Sequence, residues 1–395
     1  MSRRHWAAAM AALVLALAVV TVVLLGGGSP RHRHPRERPH PRGAPSVAPA
    51  LSAPAGETFG INVNRLFNDR TDTPEQIGVQ LAALAATGAT VARSDALWEA
   101  TEPTAPSDGI HHWAWQFDDF IAAALAAHGL TWLPILDYSA PWAQSVPGED
   151  HSPPRAAADY AAYAAAFATR YGAGGTFWRG HPQLTPRPVT TIEIWNEPDN
   201  AEFWVPAPDA AGYAHLYLAA RSAIDAVDPA ARVIVGGLTD TTAFLPAMVH
   251  AAPQLVGHVD GVAIHPYGTP SVVIAKLRGA RATLAALGME SVPLYVTEFG
   301  WTTSPPGSLG YVRAARRPIW IEQTLQALGH LDCGLAASVM YTWVTPQGNA
   351  ADSQDWFGIE NPDATGTPSS QAFVTGLRAA AAPGKRLACG AGIAK

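Results

Sequence analysis

Short runs rich in β-branched and aromatic residues alternate along the chain with longer stretches whose apolar residues recur at helical spacing. The first run, Thr58-Phe59-Gly60-Ile61-Asn62-Val63, reads as a strand. From Pro74 to Ala86, the residues Ile77, Val79, Leu81 and Leu84 share a helical face, and Gly88 closes the helix. A strand at Thr90–Arg93 leads through a loop with Trp98, Trp113 and Trp115 to a helix from about Phe117 to His128. The same reading gives strand Thr131–Leu136 and helix Arg155–Tyr171, then strand Thr191–Trp195 and helix Ala210–Val227. Strand Val233–Gly237 precedes a helix near Phe244–Val249, and strand Gly261–Ile264 precedes helix Ser271–Leu287. Strand Leu294–Thr297 with helix Pro318–Leu331, and strand Ala337–Trp343 with helix Ser370–Ala381, complete the series. Eight strand-then-helix units make a parallel sheet, and eight such strands suggest an α/β fold of the (β/α)8 TIM-barrel type, its site at the strands' C-terminal ends. A doubly wound open sheet would want a Gly-rich phosphate turn after an early strand, and neither G-x-G-x-x-G nor a P-loop stands where one is needed.

The first 55 residues break the pattern. Arg3 and Arg4 precede an apolar run from Trp6 to Leu25 and then Gly26-Gly27-Gly28, so residues 1–28 read as an export signal peptide or a signal-anchor helix. The anchor is slightly favoured because no Ala-x-Ala cleavage site follows cleanly. Residues 29–55, rich in Pro and Arg with His32, His34 and His40, read as a semi-extended spacer. Residues 56–395 are then the folded domain, placed outside the cell, secreted or held at the membrane by the N-terminal segment alone. Cysteine usage agrees with export: the pair Cys333 and Cys389 can form one disulfide or remain two thiols.

Charge narrows the ligand. Residues 1–44 carry seven Arg against one Glu, a net +6, which leaves −12 for the rest of a chain whose total is −6. An acidic body lacks the clustered cations that phosphate contacts need, so nucleic acid is excluded as a partner. Thirteen Trp in 395 residues exceed what a core of this size needs, and flat indole faces suit the C–H faces of sugar rings. No His-Glu-x-x-His occurs and the histidines show no ligand spacing, so no metal or other cofactor is expected. A monomer is expected.

In a barrel the strand ends converge on one mouth, and the polar or aromatic residues read there are Arg93, Asp137, Asn196, Glu197, His265, Tyr267, Glu298 and Trp343. Each alone is weak: an Asn-Glu-Pro tripeptide is usually a turn, and a strand-end Glu usually pairs with a surface cation. Their joint placement at six strand ends is hard to ascribe to chance. Glu193 shares strand parity with Glu197 and points the same way but deeper, as a paired structural group, because a lone buried charge is very costly. Asp199 and Asp240 fall in the loops after the fourth and fifth strands. Trp142, Trp204, Trp301 and Trp356 are candidates for outer sugar subsites, whereas Trp132 and Trp320 read as core.

These motifs resemble the clan A retaining glycoside hydrolases, over roughly Phe59 to Ala381. Trp195-Asn196-Glu197-Pro198, His265-Pro266-Tyr267 and Thr297-Glu298-Phe299-Gly300-Trp301 look most like glycoside hydrolase families 5 and 39, although family 5 often places His where this chain has Asp137-Tyr138. The resemblance implies a double-displacement mechanism, with Glu197 as a protonated acid whose proton is held by less polar surroundings and by the charge of Glu298. It implies Glu298 as the ionised nucleophile, favoured by Arg93 and Tyr267, and Asn196 on the sugar 2-hydroxyl. His265 would orient Glu197 or bind a hydroxyl, Trp343 would floor the reactive sugar, and Asp137 and Trp301 would join the substrate contacts. The expected function is a retaining β-glycoside hydrolase acting on an extracellular poly- or oligosaccharide. The alternatives are a carbohydrate-binding barrel that no longer cleaves, and a transglycosylase using the same residues.

Overall fold

The computed structural model describes residues 57–389; residues 1–56, on which the expected export signal and spacer fall, and the last six residues lie outside the described residues. Eight strands close into a barrel in the order β1 (Thr58–Asn62), β2 (Val91–Leu97), β3 (Thr131–Asp137), β4 (Thr191–Ile194), β5 (Arg232–Leu238), β6 (Gly261–Ile264), β7 (Leu294–Val296) and β9 (Leu335–Met340). Every pairing is parallel, and β9 returns to β1 through Thr58↔Ala337 and Gly60↔Val339. The expected (β/α)8 TIM barrel is therefore the fold.

Local sequence explains the helix starts. Thr73-Pro74, Thr269-Pro270 and Thr367-Pro368 each place a Thr side chain on the first free amides and a Pro where its missing N–H is not needed. At Thr73 the Gln76 side chain returns the bond to the cap amide, completing a capping box. The helices pack outside the strands, so strand residues of one parity meet helices and those of the other fill the barrel. Ile234, Ala263, Tyr295 and Ala337 form one such buried cluster. Among the described residues no helix is long and apolar enough to cross a membrane.

Two strands' C-terminal ends differ from the periodic reading by more than one residue, and both matter for the site. Strand β2 continues four residues past Arg93, because Ser94 to Leu97 stay paired with Pro134 to Asp137 of β3 despite their polar composition. Arg93 therefore sits inside the barrel rather than at its rim. Strand β9 stops at Met340, three residues before Trp343.

Below the barrel, the two-residue strands β8 (Leu331–Asp332) and β10 (Leu387–Ala388) pair in parallel, and Cys333 and Cys389 beyond them are joined by a disulfide. The bridge closes a loop spanning the last barrel strand and the helix Pro368–Ala381. Cross-linking a loop of this length removes unfolded-state entropy, so Cys389→Ser lowers the free energy of unfolding by about 2–4 kcal/mol. The fall in denaturant midpoint under non-reducing conditions reads this directly; an unchanged midpoint would contradict it.

Candidate active site

Strand β4 ends by turning its backbone into a conformation that side-chain-bearing residues rarely adopt. Trp195 (φ 66°) and Glu197 (φ 43°) are both left-handed, each at a cost of roughly 1–3 kcal/mol. The turn is held from several directions. The Trp195 indole donates to the Phe203 carbonyl at 2.7 Å, and the Asn200 amide donates to the Glu197 carbonyl at 2.9 Å. Asp199 accepts from the Thr239 amide and hydroxyl and from the Asp240 amide, which fastens the turn to the loop after β5. The outcome is a Glu197 side chain aimed across the mouth, its Oε2 accepting from Asn200 Nδ2 at 2.7 Å.

Beneath it, Arg93 is fully enclosed. Its Nε and Nη2 donate to the two oxygens of Glu193 at 2.8 and 3.1 Å, Nη1 donates to Glu298 Oε1 at 2.6 Å, and Nη2 also donates to Asn196 Oδ1 at 3.1 Å. Glu193 further accepts from the Gly237 amide at 2.8 Å and the Thr297 hydroxyl at 3.1 Å. It is thus the buried, paired structural carboxylate expected of it. Glu298 accepts a second bond from the Tyr267 hydroxyl at 2.7 Å. Burial alone would push the Glu298 carboxyl up, but the charges of His265 and Arg93 and the bonds from Tyr267 and Arg93 outweigh it and hold it below the usual carboxylate range. Burial and the Glu298 charge raise Tyr267 well above an ordinary phenol, so it remains a donor.

His265 lies between the two acids. Its Nδ1 is 2.7 Å from Glu197 Oε1 and 3.7 Å from Glu298 Oε2, and its Nε2 is 3.1 Å from Thr297 Oγ1. The ring fits only because β5 carries Gly237 opposite it: a Cβ there would fall 1.9 Å from His265 Nε2. Gly300 has a parallel role after β7, where a Cβ would meet the Tyr341 carbonyl at 1.9 Å. That contact lets the end of β9 close over the Phe299-Gly300 turn.

Arg93, Asn196, Glu197, His265, Tyr267 and Glu298 therefore converge, whereas three other candidates do not. Asp137 is wholly buried with both carboxyl oxygens lacking a hydrogen-bond partner; burial and then the Asp95 charge push it well above the carboxylate range. It is closed off from any sugar. Trp301 is 1% exposed, donates to the Gly268 carbonyl at 2.7 Å and packs edge-on against Phe299 and Trp320. Trp343 is likewise 1% exposed and donates to Gln80 Oε1 at 2.8 Å on the helix Pro74–Ala86. Neither offers a free indole face. Trp204 is buried too, while Trp142 and Trp356 are half-buried. Most of the tryptophan excess goes into packing, as in the Trp98 stack on Tyr163.

Residues that pattern reading passed over line the mouth instead. Tyr341, two positions before Trp343, is half-buried, stacks edge-on against Phe357 and feels the Glu298 charge. Asp95, two residues beyond Arg93 and facing the same way, accepts from Asn64 Nδ2 at 2.8 Å and from Asn68; burial, offset by Arg93 and these amides, pushes it up to about 6. Half-buried Tyr138 and Phe203 lie nearly parallel, 6.3 Å apart, and Tyr138 feels the Glu197 charge. The period-two parity of β2, carried two residues further, was the available signal for Asp95; Tyr341 had none, because its strand end is fixed by pairing.

Oxygens of Glu197 and Glu298 and a nitrogen of His265 come within 4.8 Å of one another, the one grouping among the described residues close enough to gather a metal ion. Their lone pairs already face Arg93, Tyr267, Asn200 and each other, so the set reads as a hydrogen-bonded acid–base array. Glu298 is bonded by Arg93 and Tyr267 and Glu197 by His265 and Asn200, so the two neighbouring carboxyls have different partners.

No protein-family model matches the sequence, and no curated protein matches it. Solved structures do. A family 39 glycoside hydrolase from the gut symbiont Bacteroides cellulosilyticus superposes with a TM-score of 0.60 at 18% identity over 82% of this chain; the match covers 64% of that chain. A GH39 β-xylosidase from Caulobacter crescentus gives 0.62 at 21% identity over 83% of this chain and 72% of its own. Fungal β-1,4-galactanases give 0.56 at 16% identity over 81% and 99%. At such identities the likeness is one of fold. The fold class is the barrel shared by these glycoside hydrolases, including the family 39 barrel to which the motifs pointed.

Adding one methyl group at Gly237 tests the packing of the site. Gly237→Ala must displace the His265 ring or the β5 backbone, an overpacking that costs about 1–3 kcal/mol of stability. Thermal unfolding should show the loss, and a variant as stable as wild type would mean that the ring has free space.

Proposed function

We propose that the chain is a retaining β-glycoside hydrolase that cleaves O-glycosidic bonds of a poly- or oligosaccharide by double displacement. The observation that carries this reading is that an oxygen of Glu197 and one of Glu298 lie within 4.8 Å of each other, Glu298 bonded by Arg93 and Tyr267 and Glu197 by His265 and Asn200. Inverting enzymes keep their carboxyls about 6.5–9.5 Å apart to admit a water, whereas retaining ones use about 5–5.5 Å. Glu298, held ionised by the charges of His265 and Arg93 and by the bond from Tyr267, attacks the anomeric carbon while Glu197 protonates the departing oxygen. Glu197 then takes a proton from the water that releases the glycosyl-enzyme. Asn196 holds the 2-hydroxyl, a contact that strengthens as the ring flattens, and Tyr341 takes the place under the sugar that Trp343 cannot fill. The names of the structural neighbours, β-xylosidase and β-1,4-galactanase, support a β-linked substrate. The Cys333–Cys389 disulfide supports an oxidising, extracellular location, with residues 1–28 as the export or anchoring segment.

A panel of aryl β-glycosides and cell-wall polysaccharides identifies the sugar. With the best of these, Glu298→Gln should fall well below a tenth of the wild-type rate, since a covalent catalyst without its nucleophile loses far more. A rate above that level would remove Glu298 from the role. Proton NMR of the first-formed product should show the retained anomer, and the inverted anomer would rule out double displacement.

A further inference from the structure

Counting protons around His265 leads one step further, on the assumption that the hydrolase reading above holds. The Thr297 hydroxyl has one proton, and it is committed to Glu193 Oε1 at 3.1 Å, an oxygen that Arg93 Nη2 and the Gly237 amide also approach. Thr297 Oγ1 can therefore only accept from His265 Nε2, 3.1 Å away, so Nε2 carries a proton whatever the charge of the ring. That leaves Nδ1 as the nitrogen whose protonation changes, and it faces Glu197 Oε1 at 2.7 Å, too close for two lone pairs to sit opposed without a proton between them. We propose that His265 and Glu197 hold one shared proton at neutral pH and act together as the general acid, with Thr297 as the positioning residue that fixes the histidine tautomer.

The surroundings of the ring agree from every side. Glu298 after β7 lies 3.7 Å from Nδ1, Arg93 of β2 bridges Glu298 to Glu193, and Tyr267 crosses the ring edge-on at 6.4 Å between centroids. On β5 there is no side chain at Gly237, and Asp240 and Lys276 line a cavity of about 530 Å³ that His265 also borders. Burial pulls the imidazole down, but the Glu298 charge and the bond and charge of Glu197 outweigh it and raise it. The 2.7 Å contact between Nδ1 and Glu197 Oε1 places one proton between the two groups, so the pair titrates as a single unit. In the first half-reaction that proton passes from Glu197 to the leaving oxygen, which takes the electron pair of the broken glycosidic bond as Glu298 bonds the anomeric carbon. In the second, water attacks that carbon, the bond to Glu298 breaks with its electrons returning to Glu298, and the water's proton restores the pair.

The test uses the full chain with ¹⁵N-labelled histidine, His265 being assigned by loss of its signals in His265→Asn. Wild type should show Nε2 protonated in both charge states and Nδ1 titrating above the free-imidazole value of about 6.5. Thr297→Val, which removes the acceptor from the imidazolium, should lower the midpoint by about one unit, and Thr297→Ser should restore it. A neutral ring with a bare Nε2, or a midpoint unmoved by Thr297→Val, would overturn the proposal. In kinetics, Thr297→Val should slow a phenyl β-glycoside about tenfold and bring the alkaline limb of kcat/KM to lower pH. The 2,4-dinitrophenyl glycoside of the same sugar, whose leaving group departs unprotonated, should stay within about twofold. Equal losses on both glycosides would overturn the acid role. If wild type cleaves neither glycoside while the titration behaves as stated, the hydrolase reading falls together with the acid role and the shared proton stands.

Discussion

The guanidinium of Arg93, enclosed by the barrel and shared between Glu193 and Glu298, is the interaction on which the mouth depends. A charge in that position is tolerable only if nearly every N–H finds an acceptor, and here Glu193, Glu298 and Asn196 supply them. Glu193 contributes no reactive group, yet it fixes the plane of the guanidinium and so the position of the Nη1–H that Arg93 offers to Glu298. It also gathers the Gly237 amide and the Thr297 hydroxyl, bringing β2, β4, β5 and β7 to one buried point. Removing one partner would leave an uncompensated buried charge at a cost of about 3–5 kcal/mol, which sets this cluster apart from the exposed ion pairs elsewhere on the barrel.

Above that cluster the two acids differ because their neighbours differ. Glu298 receives a full positive charge and a phenol, both of which favour the carboxylate. Glu197 receives an amide from Asn200 and a histidine, a partner that can hold or release a proton at nearly the same place. The strained backbone of Trp195 and Glu197 serves the same division. It lifts Glu197 out of the strand direction and toward the mouth, and the surrounding bonds to Asn200, Phe203 and Asp199 hold it there. Small residues are as necessary as charged ones, since Gly237 and Gly300 leave the volume into which His265 and the Tyr341 backbone fit.

The sequence by itself determined the barrel and six members of the site. Strand-then-helix periodicity is a local property, and its repetition fixes a parallel sheet whose strand ends share one side. Asn196, Glu197, His265, Tyr267 and Glu298 were readable because each lies within three residues of a strand end, and Arg93 because its polar side chain stands out in an apolar run. Tertiary structure decided which aromatic groups face the mouth and which carboxyls stay accessible. Asp137 ends β3 and Trp343 lies three residues past β9, about as close to strand ends as Glu298 is, yet they are sealed at 0% and 1% exposure where Glu298 keeps 8%. Tyr341 and Asp95 reach the site through strand ends that only interstrand pairing sets. Burial, strand register and the space left by a missing Cβ are sums over residues distant in the chain, and a local pattern does not carry them.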